Sequence, residues 1–493
     1  MKKRLGFALA LALLRCEPAF TSAALTEGSI DVATNDGRDA SAGDAIQSCR
    51  IILDRVRDLP TGQMPHVRVG MHVVEWHGKS VWGISRNNGE ELVPQGRHMR
   101  SGLMGIGTSP VKPLLPLPAS TPEPVSYYQG IYDTEYQNSK AVLDSMAASG
   151  DAETYYTFQY ALGGTLSLYE ATRDVKYLER ALAWAETMVS KAAIMDSNGN
   201  RNWSGAGLSP YARAPIAHQL HDLQGSTELG RLARISLTDP VLKRRYGSRA
   251  TVIYDFLRDH ILNKHLFTRS GLSWFQNDVV QLRRAMNDKT ALLLRVLTSV
   301  YLSSAALGGA DNATYKYLEI LTELAKGFKA RLEPYQDGLI WDRRLGYAGP
   351  VPPNDPSTLM DTSHANRFPY ALVDLYRAGI VFAREDVRGV SVLLTRTIWN
   401  RSLTDPRFTN FIDGANYPAS GRPAWGLGNI YHGWVVLAEY DPQVRLVADA
   451  VLKAILAGTS NPSLDHMNTL HGRIALSGHL AKAVWRYIRK VCK

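Results

Sequence analysis

Proton-exchanging side chains gather in one stretch of the chain, GLIWDRRLGYAGPVPPNDPSTLMDTSHANR, from Gly338 to Arg367. It carries Trp341, Arg344 and Tyr347, then a Pro-rich run, then Asp361, His364, Asn366 and Arg367 just before an apolar pattern resumes at Phe368. Loops held by a rigid scaffold are where catalytic groups are usually placed. A plainer account competes: Asp361 or Ser363 caps the next helix, and His364 is satisfied within its first turn. Three further clusters share this inventory. Arg284-Ala285-Met286-Asn287 opens an apolar helix that carries Tyr301. Asp413 to Pro418, with Tyr417, leads into Trp425-Gly426-Leu427-Gly428-Asn429-Ile430-Tyr431-His432-Gly433-Trp434. His466, Asn468, His471 and Arg473 form the last. Here too, Asn287 could be an N-cap, the glycines could serve close helix approach, and Tyr431 could belong to the core.

Amide, imidazole, guanidinium and phenol groups in such numbers suit β-elimination from a uronic-acid polymer. The C5 proton of a uronate is poorly acidic while its carboxylate is charged. An enzyme must therefore neutralise that carboxylate and stabilise the enolate-like charge that develops. A Tyr or His then removes the proton, and a Tyr protonates the leaving O4. Trp and Tyr faces support sugar rings, and Arg holds neighbouring carboxylates bidentately.

Helices must position these groups. Asp151 to Thr172 sets Tyr155, Phe158, Leu162, Leu166 and Tyr169 on one face, and Val175 to Val189 repeats the pattern after a turn too short for anything but an antiparallel hairpin. Further pairs are expected at 211–235 with 240–262, 287–307 with 312–332, 363–378 with 385–399, and 425–440 with 442–456, before a last helix over 470–491. About six helical hairpins with no fixed-length repeat predict an all-α fold, an α/α barrel or toroid. In each pair the more apolar helix is expected on the inside. Ahead of it lie residues 1–24, read as a signal peptide, and 25–126, an irregular extension with a short hairpin around Val67 to Trp82.

The chain of 493 residues is 45% hydrophobic and 21% charged, enough to bury a large core. Its net charge of +10 favours an anionic partner. Lys2, Lys3 and Arg4 before the apolar run Leu5 to Leu14 form a secretory pattern too short to span a bilayer. The expected location is therefore secreted or periplasmic. Export argues against nucleic acid, and no other run suggests stable membrane insertion. Cys49 and Cys492 remain after the signal and leave a disulfide open. No spacing suits a metal, and no cofactor is expected.

The D-T-S-H-A-N run at 361–366, R-A-M-N at 284–287 and the 425–434 block resemble α/α-toroid polysaccharide lyases acting on alginate or glucuronan. The resemblance covers about Tyr127 to Tyr440. It implies Asn287 and His364 as carboxylate neutralisers or base, with Tyr347 first and Tyr301 or Tyr431 next for the phenol. It also implies Arg284 and Arg367 as carboxylate binders. Trp341, Arg344, Asn366, Tyr417, Trp425, Tyr431 and His432 complete the expected substrate contacts. The two Asn that precede the His in alginate lyases are missing here. Two other readings stay open. An inverting glycoside hydrolase would need two carboxylates about 6.5–9.5 Å apart, drawn from Asp342, Asp361 and Asp413. A non-catalytic glycan-binding protein would keep only the aromatic and Arg contacts.

Overall fold

A computed structural model describes residues 71–76, 79–84, 122–205, 219–267, 288–309, 312–341, 360–419 and 421–491. The chain divides into two compact units, Met1–Arg38 with Asp44–Ala119 and Cys492–Lys493, and Asp39–Gly43 with Ser120–Val491. Of the first unit the described part is an antiparallel hairpin, β1 (Met71–Trp76) with β2 (Lys79–Ile84), in which Val73 faces Trp82. Both mature cysteines lie outside the described residues.

The second unit is mostly helical. Its helices are α1 (Val125–Ala147), α2 (Ala152–Thr172), α3 (Val175–Ser190), α4 (Gln219–Thr238), α5 (Pro240–Phe256), α6 (Asp288–Ala306) and α7 (Asn312–Lys329). They continue with α8 (Thr362–Ala365), α9 (Arg367–Arg377), α10 (Arg384–Leu393), α11 (Pro442–Leu456), α12 (Pro462–Asp465) and α13 (Leu470–Val491). Starts follow local chemistry. Asp151 caps α2 by accepting from the Thr154 N–H at 2.9 Å, and Asp239 and Asp441 cap α5 and α11, each followed by proline in the first turn. Two-residue strands β3 (Ile194–Met195) and β4 (Arg201–Asn202) pair in the loop after α3. A hairpin of β5 (Leu332–Tyr335) and β6 (Gly338–Trp341) follows α7 and packs on α10.

Contacts run in order from α2 to α4, α4 to α6, α6 to α9, α9 to a 3₁₀ turn at Val435–Glu439, that turn to α13, and α13 back to α2. Helices α2, α4 and α6 are buried on nearly every side, as helices inside a helical layer must be. Helices α1, α3, α5, α7, α10 and α11 each pack against members of this circuit. Where α2 crosses α13, Gly164 and Gly478 leave no room for a Cβ: one at Gly478 would sit 2.0 Å from the Gly164 carbonyl oxygen.

Three expected spans differ. Helix α5 continues as π-helix over Leu257–Phe267, and α10 ends in a π turn at Leu394–Ile398. The helix expected over 425–440 is reduced to Val435–Glu439, because 425–434 is irregular chain held by close backbone contact. A Cβ at Gly428 would fall 2.1 Å from the Phe408 carbonyl oxygen, and one at Gly433 1.5 Å from that of Asn366. Trp425 there adopts φ +69°, a left-handed conformation that a bulky residue takes only when its surroundings enforce it. Its N–H donates to Asn416 Oδ1 at 2.8 Å and its carbonyl accepts from Ser463 at 2.8 Å, which fixes it.

Candidate active site at the N-terminal helix ends

The second unit's polar side chains collect at two depths along the circuit. The deeper group is ionic. Arg231 on α4 contacts Glu170, Glu228, Ser167 and Tyr370, and Arg295 on α6 bridges Glu228 (2.6 Å) and Asp374 (3.2 Å) while lying 3.5 Å above the Tyr370 ring. Glu439 pairs with Arg377, Arg486 and Lys482. Burial disfavours all these charges, but Arg231 and Arg295 outweigh it and hold Glu228 below the usual carboxylate range. For Lys482 burial prevails and brings it down to about 7. His432 lies in this layer, 3% exposed, with its Nδ1 3.3 Å from His479 Nε2, and burial drives both imidazoles to the neutral form. It offers nothing to a sugar.

The shallower group stands at the N-terminal ends of the same helices. Arg367, first residue of α9, is its hub. Its Nε donates to Gln224 Oε1 on α4 at 2.8 Å, its Nη2 donates to the Tyr156 hydroxyl on α2, and its Nη1 lies 3.3 Å from Asp288, first residue of α6. Gln224 in turn donates to the Tyr160 hydroxyl at 3.1 Å. Tyr160 stands edge-on to Tyr431, centroids 4.8 Å apart, and His471 at the start of α13 stacks over Tyr160 at 5.8 Å and 21°. His221 on α4 packs on Tyr156 at 5.1 Å and pairs through Nε2 with Glu153 at 3.0 Å. All these elements thus meet in one polar cluster at the mouth of the helical circuit.

Asp361 and His364 form a dyad on its α8 side. Asp361 caps α8 by accepting from the His364 N–H at 2.9 Å, and its other oxygen lies 2.6 Å from His364 Nδ1. That leaves Nε2 on the far edge of a ring whose side chain is 46% exposed. The carboxylate holds His364 above the ordinary imidazole pKa, against burial. Burial opposes ionisation of Asp361, yet His364 keeps it below the usual carboxylate range. Tyr156 is half-buried, and burial pushes it up to about 12, although Arg367 pulls the other way. It is therefore a protonated phenol across the working range of pH.

The structure treats the expected residues unequally. His364, Arg367 and Tyr431 meet at the mouth. Asn366 is 2% exposed, and its side-chain oxygen accepts from the Gly433 N–H, so it clamps the chain and contacts no ligand. Trp341 is 1% exposed, stacked on Phe368 and Trp434, with Nε1 donating to Met360 Sδ at 3.2 Å: a core residue. Tyr301 lies 13 residues beyond Asp288 on α6, about 20 Å along the axis, and cannot join the mouth. Tyr417, 38% exposed, stacks on Phe411, whose backbone bridges Asp361, so it lies beside the dyad. Trp425 is half-exposed in the same irregular loop system. Arg284, Asn287, Asp342, Arg344 and Tyr347 lie outside the described residues. Asp413, the other hydrolase candidate, accepts from the Ala415 N–H at 3.1 Å in its own turn.

Sequence reasoning missed Tyr156 and Gln224. Tyr156 and Tyr160 are one turn apart just behind the Asp151 cap, and α4 carries Gln224, Glu228 and Arg231 on a helix that is otherwise core. Polar residues repeating along a fully buried helix were the available signal.

No metal-binding group occurs among the described residues, and no described helix is long and apolar enough to cross a membrane. No family model, curated protein or solved structure matches the chain.

Proposed function

We propose that this protein is a polysaccharide lyase that cleaves an anionic, uronic-acid-containing polysaccharide of the alginate or glucuronan type by β-elimination. The observation that carries the reading is the pairing, at one mouth, of a carboxylate-held imidazole with a protonated phenol: Asp361–His364 beside Arg367–Tyr156. In the reaction neutral His364 takes the C5 proton through Nε2 while Asp361 keeps Nδ1 protonated. The C5 electron pair moves through an enolate-like carboxylate to form the C4–C5 double bond. The C4–O4 bond breaks, and Tyr156 gives O4 its proton. Arg367, already donating to the phenol oxygen, stabilises the phenolate left behind. Asn287, immediately ahead of Asp288 in sequence, keeps the carboxylate-neutralising role that the family resemblance implies.

Two further features support this reading. The contact circuit that returns from α13 to α2 fits an α/α toroid, whose inner helices aim their N-terminal ends, and the positive ends of their dipoles, at one opening. An anionic polymer suits that opening and the net charge of +10. A secreted or periplasmic location follows from the basic and apolar N-terminus. In the hydrolase alternative Asp361, held ionised by His364, fits only the general-base part, and a separate protonated carboxylic acid is required. The test is incubation with alginate and glucuronan, followed by ultraviolet absorbance of the new double bond. New reducing ends without that absorbance indicate a hydrolase, and neither signal indicates a binding protein.

A further inference from the structure

The mouth is divided by charge. On the α6, α8 and α9 side stand Asp288, Asp361, His364 and Arg367. On the α13 side, closed by the chain ahead of the 3₁₀ turn, the half-buried His471 packs against the buried rings of Tyr160 and Tyr431, with no ionised group among the three. Burial pushes the Tyr431 phenol well above its ordinary value and holds the His471 imidazole down at about 4, so both are neutral at any ordinary pH. Arg473, the nearest charge on the first turn of α13, is directed to Glu135 at 2.9 Å. His471 is fixed by its rings alone: it stacks on Tyr160 at 5.8 Å and meets Tyr431 at 6.0 Å. It is only half-buried, and its ring nitrogens make no hydrogen bond to any described residue. A neutral imidazole carries one N–H donor and one lone pair. An oriented imidazole with both capacities unused among the described residues, beside the polar cluster around Arg367, is suited to a ligand group that both accepts and donates. A sugar hydroxyl is such a group, whereas a carboxylate only accepts.

We propose that Tyr160, Tyr431 and His471 form an uncharged subsite that reads the configuration of a ring hydroxyl on the sugar polymer, with His471 as the specificity-determining residue. The proposal rests on the polyuronate reading of the same mouth and adds to it a division of labour. The charged side handles the carboxylate and the proton, and the neutral side selects the sugar. A pocket that hydrogen-bonds a hydroxyl discriminates against the isomer that places it elsewhere, because the site's own polar groups are then left unpaired.

The probes are β-1,4-linked trisaccharides of mannuronate and of glucuronate, which differ only in the configuration at C2. Their binding to the full-length protein is measured by titration calorimetry, alongside lyase turnover of the two polymers. The wild-type protein is expected to favour one trisaccharide by about tenfold, the effect of one hydrogen bond. The His471→Phe variant keeps the ring stacking but has no nitrogens, and it should bring the two affinities to within about twofold. Its circular dichroism and melting curve should match the wild type. An unchanged preference in folded His471→Phe overturns the proposal, as does equal wild-type affinity for the two trisaccharides. Turnover of polyuronates with either of those results sinks the subsite alone. Absence of both binding and turnover in the wild type rejects the polyuronate reading and the subsite with it.

Discussion

His364 works as a base only when neutral, so the sign of its pKa shift sets the pH dependence. Asp361 raises the imidazole above its ordinary 6.5. The protonated, inactive form is then favoured at low pH, and kcat/KM should climb as pH rises through that raised value. Removing the carboxylate's charge removes the largest cause of the shift. The acidic limb of the Asp361→Asn profile should therefore move to lower pH, while kcat falls because Nδ1 is no longer oriented. A limb that stays in place would detach the dyad from catalysis. For Tyr156, held protonated by burial, the Tyr156→Phe variant should lose roughly 10²–10⁴-fold in kcat with little change in KM, measured by steady-state kinetics. The pairing of His364 with Asp361 was legible because the neighbours of His364 form a cap-like run that also supplies a carboxylate. The contact of Tyr156 with Arg367 was not, since a phenol in a Tyr-rich helix reads as core until a cation from 211 residues away is seen to touch it.

Helix periodicity carried the element scale well. The spans of α2, α3, α11 and α13 follow from their apolar spacing, and the first three also from Asp or Pro at their starts. It failed where backbone contact between distant segments overrides spacing. Residues 425–434 have helical-looking aromatics, yet Gly428 against Phe408 and Gly433 against Asn366 force an irregular path. Trp341 likewise read as a loop platform because the β5–β6 hairpin that buries it is only four residues a strand. The ionic layer beneath the mouth was also illegible, since each of its members looks like an ordinary charged residue until five helices and the 3₁₀ turn bring them together. Its energetics favour pairing over deletion. Arg295 offsets Glu228 and Asp374 at once, so Arg295→Ala leaves two buried carboxylates short of a cation and should cost about 3–5 kcal/mol in urea unfolding. A loss below about 1 kcal/mol would mean that water or a rearranged Arg231 takes its place.

At the scale of the whole molecule, the helices of the second unit do two jobs at different depths. Their middles are tied by buried ion pairs, which fix helix order and rotation. Their N-terminal ends, with α8, bring imidazole, phenol and guanidinium groups together in one cluster. The all-α class and the paired helices were readable from the sequence, because both depend on local spacing. The depth of each polar group was not, because it depends on which helices meet. The most direct test of the account is absorbance at the wavelength of a C4–C5 unsaturated uronate, recorded during incubation of the wild-type and His364→Ala proteins with alginate and glucuronan. The account predicts rising absorbance with at least one polymer for the wild type and a loss of about 10²-fold or more for His364→Ala, at unchanged melting temperature. Full activity in His364→Ala, or cleavage by the wild type with no unsaturated product, would contradict it.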